Sequence, residues 1–216
     1  MLVGPVAAIA RNRLLATEIQ GKDATMTSWH ESLNTWGPAW AAIRDVEDPA
    51  AEQILAWPVG AGAMAAGSTM HLVTEDAAAA REFAAGARLT ETGAAVLLSA
   101  STDDLDLVPH MPPNTNLAEV PLDNYDAVEV ALFDRPVAGG RVKVADGLAV
   151  LAGLHVDPEG EGMQAELETV MIASLGEEAF LHGADVLFLV AGSEQAGRFD
   201  AAGGWTRVAE ILSFTK

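Results

Sequence analysis

The dipeptide Asp146-Gly147, set between Val144 and Leu148, constrains this chain more than any other feature. Asp-Gly suits a two-residue hairpin turn, because both turn positions need backbone angles that these residues tolerate. Runs rich in β-branched residues flank it, 140–144 and 148–156, so two antiparallel strands are expected. Residues 116–120 and 127–133 read as strands for the same reason, and Asp134-Arg135-Pro136 reads as the turn that follows them. Gly139-Gly140 reads as part of a hairpin turn. A helix is then expected over about 163–182. Leu167, Val170, Met171 and Leu175 would face the sheet, Glu166, Glu168 and Glu177 would face water, and Gly183 would end the helix. A strand at 185–190, a short helix at 194–202 and a strand at 205–214 complete the order.

The stretch 101–116 breaks the chain. Asp103, Asp104, Asp106, Pro109, Pro112, Pro113 and Asn114 neither continue a helix nor suit a central strand. Two parts are therefore expected, 1–110 and 114–216. In the first, Trp36, Trp40 and Ile43 fall at helical spacing, and 50–57 reads as a further helix with Ile54 and Leu55 as its apolar stripe. A strand at 69–73, a helix capped by Glu75-Asp76 and ending near Gly86, and a strand at 94–98 follow. Trp57-Pro58-Val59-Gly60-Ala61-Gly62 reads as a loop. Leu72-Val73, Arg81, Phe83 and Gly86 are echoed by Leu189-Val190, Arg198, Phe199 and Gly203, which suggests a duplicated half-domain. Trp29, Trp36, Trp40 and Trp57 cluster in the first part and are expected to pack helices onto the sheet.

With 12 Lys+Arg against 31 Asp+Glu, the formal charge is −19, yet half the residues are hydrophobic, so a folded core is expected. The longest basic cluster is Arg11-Asn12-Arg13, so neither nucleic acid nor an anionic membrane surface is expected as a partner. No cysteine is present, which removes disulfides, thiolate zinc sites and cysteine nucleophiles. His30, His71, His110, His155 and His182 show no metal-ligand spacing, so no metal is expected. Met1 to Ala10 is apolar, but Arg11 and Arg13 follow rather than precede it, which is the wrong polarity for a secretory signal. No apolar run reaches the roughly 18 residues of a spanning helix. A soluble, cytoplasmic protein is the expectation, with a homodimer left open as its assembly.

From Asn114 to Phe214 the order of elements resembles the GNAT superfamily of acyl-CoA-dependent N-acyltransferases. The resemblance is carried by antiparallel strands, a strand ending Val156-Asp157-Pro158, a glycine turn, a long helix, then strand–helix–strand. It implies an α/β (α+β) fold, a mixed and mostly antiparallel sheet flanked by helices. It also implies acetyl-CoA as co-substrate and a small-molecule or peptide amine as acceptor. The turn Glu159-Gly160-Glu161-Gly162-Met163-Gln164-Ala165 stands where the family holds the pyrophosphate on backbone amides at a helix N-terminus. The resemblance thus assigns Gly160, Gly162, Met163, Gln164 and Ala165 to the cofactor, Leu154 and Val156 to the acyl group, and Phe199 to the place of the family's tyrosine acid. Phe199 has no proton to give, and Glu159 and Glu161 bring negative charge to the turn.

His155, beside that strand end, and Glu129, on a neighbouring strand, are the candidates for general base toward an ammonium substrate. Each also has a plainer reading as a solvated strand residue. Two functions stay open at this level: a GNAT-type N-acetyltransferase, and a non-catalytic GNAT-like module that binds a ligand or partner after losing the cofactor loop.

Overall fold

A computed structural model describes residues 28–48, 51–58 and 67–216. Met1 to Ala10, Arg11-Asn12-Arg13 and most of the Trp57 to Gly62 loop lie outside the described residues. The elements run α1 (Trp29–Ile43), β1 (Glu52–Ala56), β2 (Thr69–Thr74), α2 (Ala77–Gly86), β3 (Thr90–Ser101), β4 (Thr115–Pro121), β5 (Asp126–Leu132), β6 (Arg135–Ala145), β7 (Leu148–Val156), α3 (Gln164–Leu181), β8 (Val186–Ala191), α4 (Ser193–Ala202) and β9 (Thr206–Thr215).

The nine strands of the described residues form one sheet in the order β1-β2-β9-β3-β8-β7-β6-β5-β4. Only β1–β2 and β7–β8 pair in parallel, and the other neighbours are antiparallel. This is the mixed, mostly antiparallel sheet that the resemblance implies. Parts 1–110 and 114–216 interleave in it, because β9 lies between β2 and β3. Both units of the internal repeat are strand–helix–strand, β2-α2-β3 and β8-α4-β9.

Strand periodicity divides the core into two faces. On one face α3 and α4 cover Leu98, Val130, Val142, Leu151, Leu187 and Leu189, and α2 covers Met70, Leu72, Leu212 and Phe214. On the other face Trp29, Trp36, Trp40 and Ile43 of α1 pack on Val73, Leu97, Val150, Phe188 and Ile211. The C-terminal end of α1 reaches β1 through Arg44–Glu52 and β6 through Arg141–Ile43, so the sheet curls around this helix. Helix α2 starts where Asp76 accepts from the Ala79 N–H, as its sequence predicts.

Four local expectations are corrected. Residues 52–56 are a strand rather than part of a helix, because parallel pairing to β2 overrides the helical propensity of Glu-Gln-Ile-Leu-Ala. Gly139 and Gly140 lie inside β6, not in a turn. A Cβ at Gly139 would stand 2.7 Å from His155 Cε1, and one at Gly140 would collide with Leu154, so close approach demands both glycines. The β5–β6 turn is made by Phe133 and Asp134, both at positive φ (50° and 61°), which leaves Arg135 and Pro136 in the strand. Glu168, expected to face water, is 2% exposed, because α3 is covered on nearly all sides by the sheet and α4.

Candidate functional site

The two candidate bases come from different strands and meet through register. Glu129 of β5 pairs with Gly139 of β6, and Gly139 pairs with His155 of β7. Side chains of laterally paired residues share a face, so Glu129 and His155 stand on either side of a glycine floor, roughly 10 Å apart across two strand spacings. Both are exposed. With Arg141, Gly153 and Asp157 they line a cleft of about 370 Å³ on the α1 face of the sheet.

The His155 Nδ1 lies 3.1 Å from the Gly153 carbonyl oxygen. A carbonyl only accepts, so Nδ1 is the donor in this contact. Arg141 is tied elsewhere: it donates to the Ile43 carbonyl (2.7 Å) and Asp45 (3.0 Å) and lies over the Tyr125 ring. Tyr125 also donates to Asp45, and this bond, with burial, raises its phenol above the ordinary value. With Arg141 paired to Asp45, the carboxylates of Glu129 and Asp157 give the cleft a negative lining.

Beside the cleft the sheet parts. Strands β7 and β8 pair only from Leu148↔Val186 to Leu151↔Leu189, while β7 runs on to Val156. The cause is an extra residue in β7, since Ala152 opposes Arg141 and His155 opposes Gly139. Gly153 takes φ 66° at this bulge. The Asp157 N–H donates to Val137 of β6, and the Leu154 carbonyl accepts from Gln195 of α4 on the opposite side. By alternation, the main-chain groups of Leu154 and Val156 face the parted seam.

The cofactor candidates are spread around this seam. Leu154 buries its side chain in the α3-side core and Val156 packs against it half-buried. Gly160 is buried in a 3-10 turn, where a Cβ would meet Leu167 and Val156 at 2.9 Å, and its N–H donates to the Asp157 carbonyl. Gly162 is exposed and open, Met163 packs on the core, Gln164 donates to Glu168, and the Ala165 carbonyl accepts from Thr169. Phe199 is 7% exposed and packs against Trp205. The structure therefore brings Glu129 and His155 into one cleft beside Leu154 and Val156, and sets Phe199 apart in the core.

Sequence reasoning missed two polar clusters. The buried Glu168 carboxylate receives two hydrogen bonds from Arg198 (3.0 and 2.6 Å) and one each from Gln195 and Gln164. Burial pushes Glu168 up, but the bonds from Arg198 and Gln195 and the arginine charge outweigh it and hold the carboxyl below its ordinary value. The second cluster joins His71, Ser213, Glu52 and Arg44. His71 Nδ1 lies 2.8 Å from Ser213 Oγ, and Glu52 is held by both terminal nitrogens of Arg44. Burial, then the Arg44 charge, lowers the His71 imidazole. The one available signal was Arg198, which stands in the repeat.

No protein-family model matches the chain, and no curated protein is similar to it in sequence. Solved structures are similar. A functionally unknown conserved protein from Staphylococcus epidermidis is 12% identical over 68% of this chain and 71% of that one, with a TM-score of 0.52. A tandem GNAT protein from the clavulanic acid biosynthesis pathway is 12% identical over 68% of this chain and 63% of that one, at 0.50. A GCN5-related N-acetyltransferase from Kribbella flavida is 21% identical over 68% and 66%, at 0.48. The match thus spans less than two thirds of the latter two proteins' own length.

Proposed function

From the GNAT fold of this chain we propose that it is an N-acyltransferase, moving an acetyl group from acetyl-CoA to the amine of a small molecule or peptide. The observation that carries this reading is the register Glu129–Gly139–His155 lying directly beside the parted β7–β8 seam. The seam fits a thioester arm, because main-chain groups of Leu154 and Val156 face it with no strand partner from β8. The turn fits a pyrophosphate poorly. Gly160 is packed against Leu167 and Val156, and Glu159 and Glu161 are exposed there.

In this reading the negative cleft gathers the acceptor as its ammonium. Glu129 or His155 Nε2 takes the proton, the neutral nitrogen forms its bond to the acyl carbon, and as the carbon–sulfur bond breaks that nitrogen gives its second proton to water. The N–H groups of Leu154 and Val156 stabilise charge growing on the carbonyl oxygen. Phe199 leaves the departing thiolate to be protonated by water.

The acidic turn favours the second reading, a non-catalytic binding module with the same fold. Release of free thiol from acetyl-CoA in the presence of a panel of primary amines separates the two. The transferase reading expects amine-dependent release that falls about 100-fold in Glu129→Gln or His155→Gln. Thiol release no faster than in buffer alone, with every amine, supports the binding module.

A further inference from the structure

We propose that the acceptor taken by the Glu129–His155 cleft is an amino acid, and that Arg141 reads its carboxylate. The inference rests on the acyltransferase reading in treating this cleft as the acceptor site. Arg141 lies two residues beyond Gly139 on β6, opposite Ala127 of β5 and Ala152 of β7. It therefore stands on the same face as Glu129 and His155, roughly 7 Å along the strand from the glycine floor. Its stem passes over Gly153, where a Cβ would lie 3.8 Å from the Arg141 Cδ.

Three contacts hold the guanidinium in place. Nη1 donates to the Ile43 carbonyl at 2.7 Å and to Asp45 at 3.0 Å, and the group lies 4.9 Å from the centre of the Tyr125 ring. Both bonds use Nη1, so the Nε–Nη2 edge stands outside them, and the side chain is 40% exposed. That edge is the parallel pair of donors that a carboxylate accepts side-on.

Charge along the cleft is polarised to match. The Asp157 N–H donates to Val137, which puts Asp157 on the far side of Gly139 from Arg141. Glu129 stands beside Gly139 itself. Carboxylates thus occupy one end and the middle, the guanidinium occupies the other end, and Val120 and Ala127 supply apolar lining. An amino acid satisfies each in turn, with its ammonium at Glu129 and His155, a short alkyl stem, and its carboxylate on Arg141. A plain alkylamine would leave the Arg141 edge to water, and a diamine would bring a second cation against it.

The test titrates the full chain, without acetyl-CoA, with 4-aminobutyrate and with n-butylammonium, which has the same number of carbons and no carboxylate. The expected result is saturable amide shifts at Gly139, Arg141 and Gly153, with 4-aminobutyrate bound about tenfold tighter. Arg141→Gln should bring the two ligands to within about twofold of each other. Arg141→Lys, which keeps the charge and a donor for the Ile43 carbonyl, should lose part of the preference because it lacks the fork. Equal affinity for the two ligands in the wild type, or a preference unchanged in Arg141→Gln, would overturn the proposal. Thiol release from acetyl-CoA separates this inference from the acyltransferase reading. Selective 4-aminobutyrate binding with no release from any amine would overturn that reading and leave the amino-acid site standing. Release as fast with n-butylammonium as with 4-aminobutyrate would overturn the amino-acid inference and leave the acyltransferase standing.

Discussion

The β1–β2 end and the β7–β8 end of the main sheet are built alike and finished differently. Exchanging β1 with β7, β2 with β8 and β3 with β9 turns the order β1-β2-β9-β3-β8-β7 into its own reverse. Each end is a parallel pair followed by a helix and a strand that pairs with the other half. At the first end all of β1 pairs with β2, and Trp57 packs on Phe83 beyond it. At the second end pairing stops at Leu151↔Leu189, the Gly153 bulge turns β7 away, and a seam opens beside Glu129 and His155. One topology thus yields a closed end and an open end, and a single extra residue in one strand makes the difference.

The arginines of the repeat sharpen this contrast. Arg81 of α2 pairs with Glu91 at the surface, with the two side chains 44% and 35% exposed, whereas Arg198 of α4 pairs with a Glu168 whose side chain is only 3% exposed. Removing Arg198 strands a buried carboxylate, so Arg198→Ala should cost about 3 kcal/mol in urea unfolding. Arg81→Ala should cost less than about 1 kcal/mol. Equal costs would erase the distinction between the ends.

Gly153→Ala comes next in size. A left-handed φ of 66° strains any residue with a Cβ, at about 1 kcal/mol. Relief of that strain would draw β7 toward regular pairing, so on the proposed acyltransferase reading the variant should lose acyl transfer more than it loses stability. Activity kept at the wild-type level would mean that the bulge does not shape the site.

The smallest effect concerns the closed end and pH. His71 is held below its ordinary value of 6.5, so the folded state takes up its proton less readily than the unfolded chain. Stability from this group is fully present above about pH 6.5 and is lost as pH falls toward the lowered value. Arg44 and Glu52 face the ring, and Ser213 and Trp40 complete its surroundings. His71→Gln should flatten the fall in melting temperature between pH 7 and pH 5 relative to wild type. An unchanged slope would place the acid sensitivity elsewhere.

Much of the open end was legible in the sequence. Strand β7 ends at Val156 as its β-branched run does, and Gly183 follows α3 with a positive φ of 82°. Glu129 and His155 were each readable as candidate bases, but not as neighbours. Their meeting depends on β5–β6–β7 register, and a slip of one residue would have sent them to opposite faces. Glu168 was illegible because a charged residue on a helix reads as solvent-facing until its partner, thirty positions away, is known. Strand β1 was missed because Glu-Gln-Ile-Leu-Ala favours a helix locally and becomes a strand only beside β2. The turns at Gly139-Gly140 failed for a similar reason: close packing under His155 and Leu154, not chain reversal, requires those glycines.

The central claim is that the open end, and not its closed counterpart, receives the acyl donor. The most direct measurement is a titration of the wild-type chain with acetyl-CoA followed by amide chemical shifts. The account predicts weak, saturable shifts at Leu154, Val156 and the Gln195 side chain, with β1 and β2 unmoved. Saturable shifts centred on Glu52 and His71, or none anywhere up to millimolar acetyl-CoA, would contradict it.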